Sequence, residues 1–184
     1  MPIQSPQQDI DIPNSTIYDV LFGNIADEDL GRVAITDDAT GSQTTYGELK
    51  ALIDAFAGAL AERGVKPGTV VGLHCPNSLA FAVAFHGILR AGATVTTLGS
   101  LMNTHDVAKQ LKDSNATYVL TTKLLGEAGV QGAEEAGIDP SNIIDLTDEA
   151  TGLRALVGEG RPAPEVTIDP ATHVAVLPYS SGTT

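Results

Sequence analysis

Between residues 69 and 144 the chain repeats one pattern, a short run of apolar and β-branched residues followed by a longer stretch with hydrophobic side chains at helical spacing. The runs are residues 69–73, 93–98, 118–121 and 142–144. A strand that is apolar along its whole length belongs in a sheet covered on both faces, because an alternating strand would leave one side for water. Parallel neighbours need a crossover connection, and the intervening segments are long enough to be helices. The predicted fold class is therefore α/β, a mostly parallel sheet with helices on both faces.

Local signals sharpen that outline. Residues 32–36 and 42–45 flank Asp37, Asp38, Ala39, Thr40 and Gly41, five turn formers, which predicts a β-hairpin. Thr45 stands three residues before Glu48, the pattern of a capping box, and Leu49, Leu52, Ile53, Phe56, Ala57 and Leu60 follow on one helical stripe until Gly64. Asn77 or Ser78 is expected to cap a buried helix over 79–90, and Thr104 one that runs to Lys112. A Gly-interrupted helix is predicted over 123–136 and a short one over 149–157, while 159–164 has the composition of a linker. The first fifteen residues, rich in Gln, Pro and Asp, predict a loose arm, so residues 1–15 are set apart from an α/β lobe over 16–184.

The 184 residues carry a formal charge of −13, from 10 basic against 23 acidic side chains. Nucleic acid and anionic membranes are bound through clustered Lys and Arg, so this balance argues against both. No run approaches the ~18 apolar residues of a membrane span, and residues 1–9 lack the basic and apolar regions of a secretory signal, which gives a cytoplasmic expectation. A single cysteine, Cys75, at the end of an apolar run predicts a buried structural thiol. His74, His86, His105 and His173 form no helical pair, so no metal site is assigned. Asp37–Asp38 and the acids from Asp145 to Glu149 are taken as turn and helix-start charges, Tyr46 as a packing residue, and Lys109 and Lys112 as a solvated helix face.

The chemistry-bearing feature is the tail. Residues 173–177 predict a buried strand that opens into Ser180, Ser181, Gly182, Thr183 and Thr184. Gly182 has no Cβ to keep a ligand at a distance, and the four hydroxyls join the backbone N–H groups in an array of neutral donors suited to phosphate oxygens. In parallel sheets ligands sit beyond the carboxyl ends of the strands, where such a loop would lie. A plain Ser/Gly/Thr surface turn remains the alternative reading of these five residues.

Three stretches together resemble the adenylate-forming superfamily of acyl-CoA synthetases, adenylation domains and luciferases. Thr45–Tyr46–Gly47–Glu48–Leu49 is similar to its first core motif, followed by the expected helix and by Gly64–Val65–Lys66–Pro67–Gly68. Leu89–Arg90–Ala91–Gly92–Ala93 is similar to the second, and the run from Pro178 to Thr184 to the opening of the third, the nucleotide-binding loop. Residues 91–97 and 106–113 most resemble 4-coumarate–CoA ligases and their bacterial relatives.

The resemblance implies part of the large N-terminal domain of an acid–thiol ligase. Such an enzyme joins a carboxylic acid to ATP with Mg²⁺ and then passes the acyl group to coenzyme A. Carried over residue by residue, Ser180, Ser181, Gly182, Thr183 and Thr184 would line the β- and γ-phosphates, and no residue present is assigned to catalysis. Against the family's pattern the chain stops inside the nucleotide-binding loop, so the isolated polypeptide is expected to be inactive and to self-associate through an open sheet edge. The alternative from another class is a non-enzymatic α/β module that binds a nucleotide or a partner. A nucleotidase with the Gly-x-x-x-x-Gly-Lys-Ser/Thr loop is disfavoured because that string is absent.

Overall fold

The computed structural model describes residues 10–180. In chain order they form α1 (Ile17–Phe22), β1 (Val33–Thr36), β2 (Gln43–Thr45), α2 (Tyr46–Glu62), β3 (Val70–Leu73) and α3 (Leu79–Arg90), followed by β4 (Thr94–Thr97), α4 (Thr104–Asp113), β5 (Tyr118–Thr121), α5 (Ala128–Ala136), β6 (Ile143–Asp145) and α6 (Leu153–Gly158). Strands β1 and β2 make the antiparallel hairpin, closed by a turn in which the Asp37 carboxylate accepts from the Thr40 amide and hydroxyl. The four later strands form a parallel sheet in the order β4-β3-β5-β6. The α/β class and the parallel sheet flanked by helices are as the apolar runs predict.

Side chains alternate across this sheet and build two cores. Val71, Leu73, Val95, Leu120 and Ile144 face a larger cluster with Ile53, Phe56, Leu60, Val83 and Ile88 of α2 and α3. Val119 faces the other way, with Leu98, Val107, Leu111, Ala133 and Ile138 around α4 and α5. Gly72 lies on that second face, where α4 comes so close that a Cβ would sit 2.5 Å from Leu111 Cδ2. Each core strips its apolar area from water at roughly 25 cal/mol per Å², which is what holds both helix layers to the sheet. Among the described residues, no helix is long and apolar enough to cross a membrane.

Helix starts follow their caps. Thr45 and Glu48 form the reciprocal box, Glu48 N–H donating to Thr45 Oγ1 at 3.2 Å and Thr45 N–H to Glu48 Oε2 at 2.8 Å. Ser78 caps α3 by accepting from the Phe81 amide. The cap of α4 is Asn103 in place of Thr104, since the Asn103 carboxamide accepts from the Asp106 amide at 3.0 Å and leaves Thr104 as the first helical residue.

Other elements depart from expectation for local reasons. The 123–136 segment divides into a single 3₁₀ turn (Lys123–Leu125) and α5, broken at Gly126, whose φ of 72° no helix accommodates. Helix α6 starts at Leu153 instead of 149 because Asp148 takes the amides of Ala150 and Thr151 into a turn. Helix α1 is not legible in the sequence. It is one and a half turns long, too short for a periodic signal, and is set by Thr16, which caps the Asp19 amide, and by burial of Tyr18 and Phe22. The linker-like residues 159–164 are strapped across α2, with Glu159 paired to Arg63 at 2.6 Å and the Pro164 carbonyl accepting from Arg90 at 2.8 Å.

Candidate functional site

The tail approaches the sheet as an extended segment beside β4, but it pairs less than a full strand would. One parallel bridge joins Val95 to Val176, made by Val95 N–H to Ala175 O and Leu177 N–H to Val95 O. The carbonyls of Val174 and Leu177 accept from the Thr94 and Thr96 hydroxyls, not from strand amides, and the ladder stops there. Residues 173–177 are therefore extended and half-buried rather than a regular buried strand.

Because this segment runs parallel to β4, its exit at Ser180 lies on the side where β3 ends at Leu73, β4 at Thr97, β5 at Thr121 and β6 at Asp145. Ser180 is exposed at this carboxyl edge. The other residues carried over to the phosphate loop, Ser181, Gly182, Thr183 and Thr184, lie outside the described residues. Tyr179, next to Ser180, donates its phenolic hydroxyl to Asp113 Oδ2 at 2.5 Å, and the hydrogen bond raises the phenol above its ordinary pKa.

Three other side chains described along this edge, His74, Cys75 and Asp145, are engaged in packing and turns. His74 follows β3 and is completely buried, its Nδ1 at 3.2 Å from Thr121 Oγ1 and its Nε2 without a hydrogen-bond partner, so burial pushes its pKa down and keeps the imidazole neutral. Cys75 is buried as expected, and burial raises its thiol, which donates to the Pro76 carbonyl. A raised thiol is a poor nucleophile. Asp145 accepts from the Thr147 amide and hydroxyl and pairs with Lys123 at 3.3 Å, an Asx-type turn with an ion pair. Among the described residues, no group of three or more His, Cys, Asp or Glu converges as a metal would require.

Two arrangements gave no sequence signal. Asp54 in the middle of α2 accepts from the Tyr18 hydroxyl at 2.6 Å and from Lys50 at 2.9 Å, and pairs with Arg90 Nε at 3.2 Å, tying α1, α2 and α3 together. Arg90 also lies over the Tyr18 ring, 5.0 Å from its centroid. A cavity of about 180 Å³ lies between α1 and the approach to the tail, lined in part by Thr16, Tyr18, Leu89, Ile168 and His173. It is at the opposite end of the segment from Ser180, away from the carboxyl edge.

A family model described as AMP-binding enzyme matches residues 22–184. Among curated relatives, 4-coumarate–CoA ligase 5 of Oryza sativa subsp. japonica is 38% identical over 182 residues, covering 96% of this chain and 32% of that protein. Peroxisomal OPC-8:0-CoA ligase 1 of Arabidopsis thaliana is 32% identical over 187 residues, covering 98% of this chain and 34% of that protein. Among solved structures, a benzoate CoA ligase from Burkholderia xenovorans LB400 superposes with a TM-score of 0.70 at 28% identity, over 82% of this chain and 30% of that one. A long-chain-fatty-acid–CoA ligase from Archaeoglobus fulgidus, 20% identical, shares the fold with a TM-score of 0.79 over 95% of this chain and 36% of that one. The chain spans about a third of the length of the curated relatives it matches. A parallel sheet whose edge segment leads into the Ser/Gly/Thr tail, matched almost from end to end by one family model, leads to a single assignment: the chain belongs to the AMP-binding enzyme family.

Proposed function

We propose that residues 16–184 are a lobe of the N-terminal domain of an ATP-dependent carboxylic acid–CoA ligase, which forms an acyl-adenylate and then a thioester. The observation that carries this reading is the exit of the tail at Ser180 on the carboxyl edge of a parallel sheet, within a chain 38% identical to a 4-coumarate–CoA ligase. Homology to CoA ligases along nearly the whole chain weighs against a non-enzymatic binding module.

The chemical demand is that a carboxylate attack an already charged α-phosphorus, so charge must be offset and the two reactants held in line. In this reading Ser180, Ser181, Gly182, Thr183 and Thr184 hold the β- and γ-phosphates through backbone and hydroxyl donors. They orient the nucleotide and exchange no proton with it. Mg²⁺ would supply charge neutralisation on the phosphates. The described residues offer no acidic cluster to hold it, so no step of this chain's residues passes through the metal.

A handful of neutral hydrogen bonds nets about 1 kcal/mol each, less than the cost of ordering a bound nucleotide. The 184-residue polypeptide alone is therefore proposed to be inactive. It is also proposed to self-associate along the outer edge of residues 174–177, where Val174 is 51% exposed.

The test is acid-dependent exchange of pyrophosphate into ATP, with thioester formation on adding coenzyme A, measured for the complete gene product over a panel of aromatic and aliphatic acids. Exchange with at least one acid is expected from the complete product and none from the 184-residue polypeptide. A complete product that activates no acid, or a 184-residue polypeptide that does, would refute the corresponding statement.

A further inference from the structure

Helix α4 ends on an aspartate, which is the wrong charge for a helix C-terminus: the partial negative charge of the last carbonyls repels a carboxylate, and a cation is favoured there. Asp113 therefore gains nothing from the helix that carries it. Its contact is with Tyr179, 66 residues later in the chain, whose hydroxyl donates to its carboxylate. Three residues earlier on the same helix, the buried Gln110 donates from Nε2 to Thr96 Oγ1 at 2.9 Å and to the Thr97 carbonyl at 3.0 Å. Thr96 in turn donates to the Leu177 carbonyl. One helix thus braces the departing chain at two successive points, Leu177 through Thr96 and Tyr179 through Asp113, immediately before Ser180.

We propose that Tyr179 and Asp113 are a positioning pair that fixes the direction in which the phosphate-binding loop leaves the sheet, so that the Ser180 donors meet the nucleotide without being ordered at binding. This rests on the reading of Ser180 to Thr184 as a phosphate loop. A donor tethered at the residue before it loses less conformational entropy on binding phosphate, and that saving appears in nucleotide affinity. Neither side chain touches the reacting atoms, so the chemical step is left as it is.

The experiment uses the complete gene product carrying Tyr179→Phe, Asp113→Ala, Asp113→Asn, and Tyr179→Phe with Asp113→Ala. Pyrophosphate exchange gives kcat and the separate KM values for ATP and acid, and melting temperatures are taken in parallel. Tyr179→Phe and Asp113→Ala should each raise the KM for ATP about five- to tenfold, with kcat, the KM for acid and the melting temperature little changed. The double variant should be no worse than the worse single one, because each removes the same hydrogen bond. Asp113→Asn, which keeps an acceptor, should recover most of the loss. An active wild type whose variants keep the same KM for ATP, or whose two effects multiply, overturns the positioning pair alone. A wild type with no exchange on any acid overturns the phosphate-loop reading and the pair with it.

Discussion

His74 and His86 are the side chains whose burial carries the clearest solution consequence. His74 is shut between the ends of β3 and β5, and His86 lies edge-on to Phe22 and Phe85 with ring centroids 5.1 and 5.2 Å away. Each has a ring nitrogen without a partner, and burial lowers both pKa values from the ordinary 6.5. The unfolded chain therefore binds protons as pH falls through 6.5 while the folded chain resists them, so stability declines on acidification from that point. The midpoint of urea unfolding should be lower at pH 5.5 than at pH 7.5, and His86→Phe, which keeps the aromatic contacts, should shrink the difference. Equal midpoints at the two pH values would count against this account. Cys75 was legible at this scale because it ends an apolar run. The burial of His74 was not, since a lone histidine after a strand has no periodic pattern to betray it.

At the scale of elements, α2 shows what a periodic stripe reveals and what it hides. Its capping box and apolar stripe are written in neighbouring residues, and the helix follows them. Its other contacts come from far along the chain. Gly58 lies under residues 161 and 162, whose carbonyl oxygens would stand 2.6 and 2.4 Å from an added Cβ. Alanine in a helix interior is ordinarily favoured over glycine by about 1 kcal/mol, but these obstacles are backbone atoms held by the Arg63–Glu159 and Arg90–Pro164 contacts and cannot swing aside. Gly58→Ala should therefore destabilise by about 1–3 kcal/mol. Gly158→Ala, at the end of α6 with nothing within 4 Å, should be neutral or slightly stabilising. Denaturant midpoints of the two variants decide the matter, and a stabilised Gly58→Ala would show that the strap moves freely. Residues 159–164 have the composition of a linker and are nonetheless strapped down, because Pro and Gly signal only the absence of regular structure, not the absence of contacts.

For the whole molecule, the sheet has β6 at one edge and residues 174–177 at the other, each paired on one side among the described residues. Unpaired edge amides and carbonyls beside exposed apolar side chains favour edge-to-edge association. The molar mass of the 184-residue polypeptide by light scattering should rise with concentration, and Val174→Lys should suppress the rise. A mass that stays monomeric throughout would refute it. The sequence by itself determined the α/β class, the succession of strands and helices, the hairpin and the main helix caps, and the short motifs that resemble adenylate-forming enzymes. These depend on the period of side chains along one segment and on hydrogen bonds between near neighbours. Only the tertiary structure decided the strand order β4-β3-β5-β6, the sharing of Asp54 among three helices, the strap over Gly58 and the meeting of Tyr179 with Asp113. Those contacts join residues tens of positions apart, and a local pattern carries no record of which distant surface will cover it.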